Sequence, residues 1–158
     1  MSIRNNVTRL LDSRKIDYTA FEISAEKHGA IETARLLGIS PEIVYKTIVV
    51  KRKKGKPILA ILSAVSEVDL KKVAKVFEEK KIFLTTQDEA EKLTKLQAGG
   101  ISPLALINKG FDMVLDESAR DYGQIHISGG QRGLNIRLGV DDLCRLTRAR
   151  VAKIAKVG

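Results

Sequence analysis

Two runs rich in Val, Ile and Leu, Val44 to Lys51 and Lys56 to Ala64, joined through Lys53-Lys54-Gly55, constrain the fold most strongly. β-branched runs of strand length around a short glycine-bearing turn predict a β-hairpin. Ile58 to Leu62 is also the longest unbroken apolar run. It falls far short of the roughly 18 residues that suggest a membrane span.

The rest of the chain punctuates itself around this hairpin. Val7, Leu10 and Leu11 follow Asn5 and Asn6 at helical spacing, so residues 5 to 15 read as an Asn-capped amphipathic helix, and Ile16 to Ile23 as a strand. Ile31, Ala34 and Leu37 predict a helix over 29 to 37 that stops at Gly38; Ser40-Pro41 opens the next unit. Beyond the hairpin, Asp69 caps a helix carrying Val73, Val76 and Phe77, Lys81 to Leu84 is a short strand, and Thr86 with Glu89 has capping-box spacing for a polar helix to Lys95. Met113 to Leu115, Gln124 to Ser128 and Leu134 to Leu138 are three further strands, and Val140 to Arg150 a closing helix. Helices and strands mix without the alternation of a doubly wound sheet. The expected fold is therefore α+β, a single compact domain over 1–158 with a mixed, mainly antiparallel sheet flanked by helices.

Length and composition fit that reading. A chain of 158 residues, 44% hydrophobic and 30% charged, is globular and can bury roughly 70% of its unfolded surface around one core. The amino terminus interrupts its apolar residues with polar ones and lacks the apolar stretch of a secretory signal, so a cytoplasmic location is expected. One cysteine, Cys144, makes neither an internal disulfide nor a thiolate zinc site, and His28 and His126 lack metal-ligand spacing. No metal or cofactor is expected. Lys and Arg exceed Asp and Glu by 28 to 19, a net charge of +9, which points to an anionic partner. The basic residues are dispersed rather than gathered on one amphipathic helix, favouring nucleic acid over a membrane. Aromatic residues at 4%, with no Trp, argue against a platform stacking many bases and for phosphate contacts at one end. Lys51-Arg-Lys-Lys-Gly-Lys56 is either a solvated turn or such a contact.

Three segments carry possible chemistry. Lys46 shares a strand face with Val44, Ile48 and Val50, while Tyr45, Thr47 and Val49 take the other. An ammonium on an apolar face must reach water, pair with a carboxylate or line a pocket that receives an anion. Ala98-Gly-Gly-Ile-Ser-Pro103 combines flexible backbone with a helix start whose first amides lack partners, which suits either an oxyanion cradle or a plain cap. Ile125-His-Ile-Ser-Gly-Gly-Gln-Arg-Gly-Leu134 puts Ile125 and Ile127 toward the core, with Gln124, His126 and Ser128 opposite, and ends in a tight turn. Dinucleotide and phosphate-loop fingerprints are absent, and Ser128 lacks a nucleophile elbow, so a triad with His126 and Asp116 is weakly supported. Cys144 reads as a small buried hydrophobe.

Together, Val44-Tyr-Lys-Thr-Ile-Val-Val50, Asp69-Leu-Lys-Lys-Val-Ala-Lys75, Gly99-Gly-Ile-Ser-Pro-Leu104, Asp116-Glu-Ser118 and Ser128-Gly-Gly-Gln-Arg-Gly-Leu134 resemble, in order and spacing, the YbaK/ProX-type aminoacyl-tRNA deacylases, relatives of the editing domain of bacterial prolyl-tRNA synthetases. The resemblance implies a small pocket that hydrolyses the ester of mischarged tRNA in trans, with Cys-tRNA(Pro) the first expectation and Ala-tRNA(Pro) the alternative. By matching position it implies catalytic roles for Lys46, Gly99 and Gly100, whose amides receive the oxyanion. Phe21, Thr47, Ile101, Ser102, Ser128 and Gly129 are implied to bind substrate. No residue is a compelling general base, so the chemistry is expected to be substrate-assisted. The implied partners are the tRNA acceptor end and, as a further candidate, prolyl-tRNA synthetase. Residues 24 to 30 lack an aromatic that some relatives carry, and Asn135 replaces an Asp found in some; both bear on the amino acid end. A non-catalytic RNA-binding or synthetase-associated module is the competing class.

Overall fold

The structure is a computed structural model and describes residues 3–157. Helix α1 (Asn6–Ser13) starts where Asn5 accepts the Thr8 N–H and Thr8 returns a bond to the Asn5 N–H. Strand β1 (Tyr18–Glu22) leads to α2 (Ala30–Leu37), which ends on Gly38 at φ +67°, the left-handed geometry that favours glycine. Ser40-Pro41 opens only a single 3-10 turn before the hairpin of β2 (Tyr45–Arg52) and β3 (Ile58–Ser63). Asp69 caps α3 (Leu70–Val76) by accepting the Lys71 and Lys72 N–H groups; β4 (Ile82–Leu84) follows. The Thr86/Glu89 capping box starts α4 (Gln87–Thr94). Strands β5 (Asp112–Asp116), β6 (Gln124–Ser128) and β7 (Leu134–Gly139) precede α5 (Val140–Thr147).

The closing helix stops earlier than its pattern predicts. Arg148 is left-handed at φ +56°, and Thr147 Oγ1 donates back to the Leu143 carbonyl and accepts the Ala149 N–H. The chain turns there into β8 (Arg150–Ala152), an additional strand parallel to β5.

The α+β expectation holds, and the strands divide between two sheets. One is antiparallel, in order β1-β7-β6; the other is mixed, in order β4-β2-β3-β5-β8. Strand β3 is buried on both faces. Ile61 faces the larger core, which Ile125, Ile127, Leu134, Ile136 and Leu138 of the small sheet share with Val7, Leu11 and Leu143 of the helices. Ile58, Ala60 and Leu62 face a second core closed by Val73 and Ala74 of α3 and by Ile154. The result is one compact domain, and among the described residues no helix is long and apolar enough to cross a membrane.

Candidate active site

The site forms where the two sheets meet and then part. The Ala64 N–H donates to the Val44 carbonyl at 2.8 Å, which sets the phase of the antiparallel pairing: Val44, Lys46, Ile48 and Val50 bond to β3. The backbone groups of Tyr45, Thr47 and Val49 therefore point to the opposite edge, and Thr85 Oγ1 meets the Val49 carbonyl there at 3.0 Å. Strand β4 joins that edge only from Val50 onward, and β6 touches it only through the Val44–His126 bridge. Between these neighbours the edge of β2 is open. A cavity of about 240 Å³ occupies the gap.

Three distant segments line this cavity together. Lys46 and Thr47 come from β2, Gly99 and Ile101 from the 98–101 loop, and Ser128 from the end of β6. The two glycine loops touch directly. Arg132 Nε donates to the Ala98 carbonyl at 2.7 Å, and a Cβ on Gly100 would stand 2.8 Å from Gln131 Cα. Asn5, the cap of α1, braces the second loop by donating to the Gly129 carbonyl and to Gln131 Oε1.

The Lys46 ammonium donates to the Ser66 carbonyl at 2.6 Å and to the Ala64 carbonyl at 3.4 Å. An ammonium has three donors, so one remains for a ligand. Burial pushes this ammonium below the ordinary lysine range, and the Glu67 carboxylate pulls it partly back. Ser128 Oγ accepts the Gly130 N–H at 3.3 Å, and its hydroxyl proton has no acceptor among the described residues.

Four residues expected in the site do not line it. The Gly100 N–H is spent on the Gln97 carbonyl at 2.8 Å and does not serve as an oxyanion donor. Gly99, at φ +90°, occupies the turn position that requires a positive angle. The amides of Gly99 and Ile101, in contrast, have no acceptor among the described residues. Ser102 is fully buried and caps the following turn through the Leu104 N–H. Gly129 gives its N–H to the Leu134 carbonyl, and a Cβ there would lie 2.4 Å from Leu134 Cγ. Phe21 stands behind the wall: it pairs with Asn135 across β1–β7, its ring lies 5.3 Å from that of His126, and the Arg137 guanidinium is 5.5 Å away.

Other lining residues were missed by the sequence reading or only hinted at in it. Glu26, His28 and Thr33 come from the 24–33 segment, and Asn135 from β7. His28 Nε2 is held by Ser24, 2.9 Å from Oγ and 3.1 Å from the carbonyl. Asn135 Oδ1 lies 2.8 Å from His126 Nδ1, an imidazole only 2% exposed. Burial pushes His126 below the ordinary histidine value, opposed by the bond to Asn135 and reinforced by Arg137. The Ser128/His126/Asp116 triad does not assemble: Asp116 accepts from Ser118 and from the Ile154 N–H, while His126 is engaged by Asn135. Cys144 lies half-buried against the large core, with its thiol pushed up by burial. No cluster of His, Cys, Asp and Glu suited to a metal occurs among the described residues.

The basic hairpin tip is partly used by the fold. Lys51 pairs with Glu89, Arg52 with Asp112 and Glu79, and Lys56 reaches the Lys109 carbonyl and the Phe111 ring. Lys53 and Lys54 remain, and they share a surface groove of about 550 Å³ with Lys80, Lys81, Glu78 and Glu79.

A cavity of this size, with a half-buried lysine, unspent amides and a hydroxyl along its lining, has room for an acyl group and donors that could meet charge on its carbonyl. Comparison with known proteins shows the family. The family described as the aminoacyl-tRNA editing domain matches residues 24–146, and the chain belongs to it. A protein of Enterococcus faecalis named as a candidate Cys-tRNA(Pro)/Cys-tRNA(Cys) deacylase, EbsC, is 33% identical over 153 residues, covering 96% of this chain and 93% of that one. A crystal structure described as that of a candidate trans-editing enzyme for prolyl tRNA synthetase superposes with a TM-score of 0.81 at 25% identity, covering 99% of this chain and all of that one. A hypothetical protein at 20% identity has the same fold, with a TM-score of 0.87 over 96% of this chain and all of that one.

Proposed function

We propose that this editing-family chain is a trans-acting deacylase that cleaves the ester of a mischarged tRNA, with cysteine on tRNA(Pro) as the preferred substrate. The observation that carries the reading is the meeting of Lys46, Gly99 and Ser128, from three separate segments, on one cavity of about 240 Å³. The naming of the Enterococcus relative supports the choice of cysteine. The structural neighbour, described as acting for prolyl tRNA synthetase, supports tRNA(Pro) as the carrier, and with it prolyl-tRNA synthetase as a partner.

Small amino acids need such a second site because one methylene gives a synthetase only about 1–3 kcal/mol of discrimination. The bond to be cut is an activated ester, so positioning and oxyanion stabilisation carry the reaction. The substrate's own thiol, with an ordinary pKa of about 8.5, supplies the nucleophile. Its sulfur bonds to the carbonyl carbon, and the resulting oxyanion meets the Gly99 and Ile101 amides in the field of Lys46. The C–O bond then breaks, the ribose oxygen leaves with the proton that the thiol gave up, and water opens the thiolactone.

The test offers the purified protein tRNA carrying Cys, Ala, Ser or Pro and follows ester loss with wild type and Lys46→Ala. Fastest loss of Cys, abolished by the substitution, is expected. Preference for Ala reassigns the substrate, and no ester loss from any tRNA points to the non-catalytic module.

A further inference from the structure

Glu26 and His28 line the cavity, but Lys27 between them does not. Its stem turns outward onto the Gly99 turn, and so does that of Arg132: a Cβ on Gly99 would lie 3.4 Å from Lys27 Cα, Lys27 Cγ and Arg132 Cγ. Each cation is held by a neutral acceptor. Lys27 Nζ donates to Gln87 Oε1 at 2.8 Å, and Arg132 Nε to the Ala98 carbonyl at 2.7 Å. Among the described residues neither has a carboxylate within ion-pair distance. Glu91, the nearby acid on α4, accepts the Ala98 N–H instead.

We propose that Lys27 and Arg132 form a phosphate clamp at the mouth of the cavity, holding the phosphate of the nucleotide whose ribose carries the acyl group. The proposal rests on the deacylase reading and adds a second subsite to it. An Arg fixed through Nε keeps both terminal nitrogens free, the fork that matches two phosphate oxygens. A Lys already oriented by a neutral partner loses little further freedom on binding. The fold leaves both charges without a carboxylate partner beside the bare backbone of Gly99, which itself lines the cavity. Glu26, exposed and lining the cavity, is the neighbouring carboxylate on the same segment as Lys27.

The experiment compares two small esters of the amino acid that the protein removes from tRNA: the 3′-aminoacyl nucleoside adenosine, and the same ester with a 5′-phosphate. Lys27→Ala, at an exposed position, is expected to raise KM for the phosphorylated ester about tenfold with kcat within about twofold, and to leave the nucleoside ester unchanged. Arg132→Lys, which keeps the charge but loses the fork, is expected to show the same selectivity for the phosphorylated ester. Equal losses on both esters would mean that these residues only shape the loops, and would overturn the clamp, as would no change on either. A second readout uses inhibition of tRNA deacylation, where adenosine 5′-monophosphate should outcompete adenosine in wild type but not in Lys27→Ala. Equal inhibition of wild type by both overturns the proposal. If wild type cleaves neither tRNA nor small ester, the deacylase reading falls and takes the clamp with it.

Discussion

At the scale of single residues, the site is a set of groups whose ordinary partners are missing or only half supplied. Lys46 was legible because a cation interrupts an otherwise apolar strand face, a pattern that demands an explanation. Its two carbonyl partners were not, since the Ala64–Ser66 turn meets it only after folding. Lys46→Ala is expected to lower the deacylation rate by at least about a hundredfold, as loss of one charge-stabilising donor does elsewhere, with an unchanged far-UV spectrum; activity within tenfold of wild type would contradict the role. Glu26 and His28 were only hinted at, as members of the 24–30 segment, for a different reason: they sit in irregular backbone between β1 and α2, where no periodicity says which side chains point inward. His126 makes a prediction about pH. Its proton affinity is lowered in the fold, so below the unfolded value near 6.5 the unfolded chain binds more protons and stability falls as pH drops. Urea midpoints measured between pH 7 and 5 should decline in wild type and less steeply in His126→Gln.

At the scale of elements, capping chemistry and β-branched runs located nearly every helix and strand, because those signals are local. Strand β8 escaped because Arg150-Val-Ala152 is three residues long and continues the apolar spacing of α5, while the left-handed Arg148 that separates them carries no glycine signature. The division into two sheets was also hidden, since pairing partners are chosen by tertiary packing. Both glycine loops were read correctly as special backbone, yet the reason for Gly100 differs from the one expected. Its missing side chain makes room for the facing loop at Gln131, and its amide is committed within its own turn. Gly100→Ala should therefore act through packing. The new methyl meets backbone at 2.8 Å, so the loops must separate, costing about 1–3 kcal/mol in denaturant unfolding along with the site geometry. Wild-type stability in that variant would show that the loop contact is slack.

At the scale of the whole molecule, the net charge of +9 becomes informative once the internal ion pairs are set aside. Three cations of the hairpin tip are held by the fold, whereas Lys53 and Lys54 stand with Lys80 and Lys81 around one groove, where four lysines outnumber Glu78 and Glu79 and leave an excess of positive charge for an anionic polymer. With about three phosphate contacts to a single strand, kcat/KM on charged tRNA should fall about tenfold to twentyfold between 50 and 200 mM salt, while a neutral small ester is unaffected. A flat salt profile with tRNA would remove the polyanion from the account. The place where the sheets part has one more implication. Val44–His126 is the single backbone bridge between them among the described residues, and the hollow beside it has walls from both. Whatever fills that hollow acts as a removable rung between two halves of the molecule, so tightness of binding and resistance to melting become two readings of one free energy.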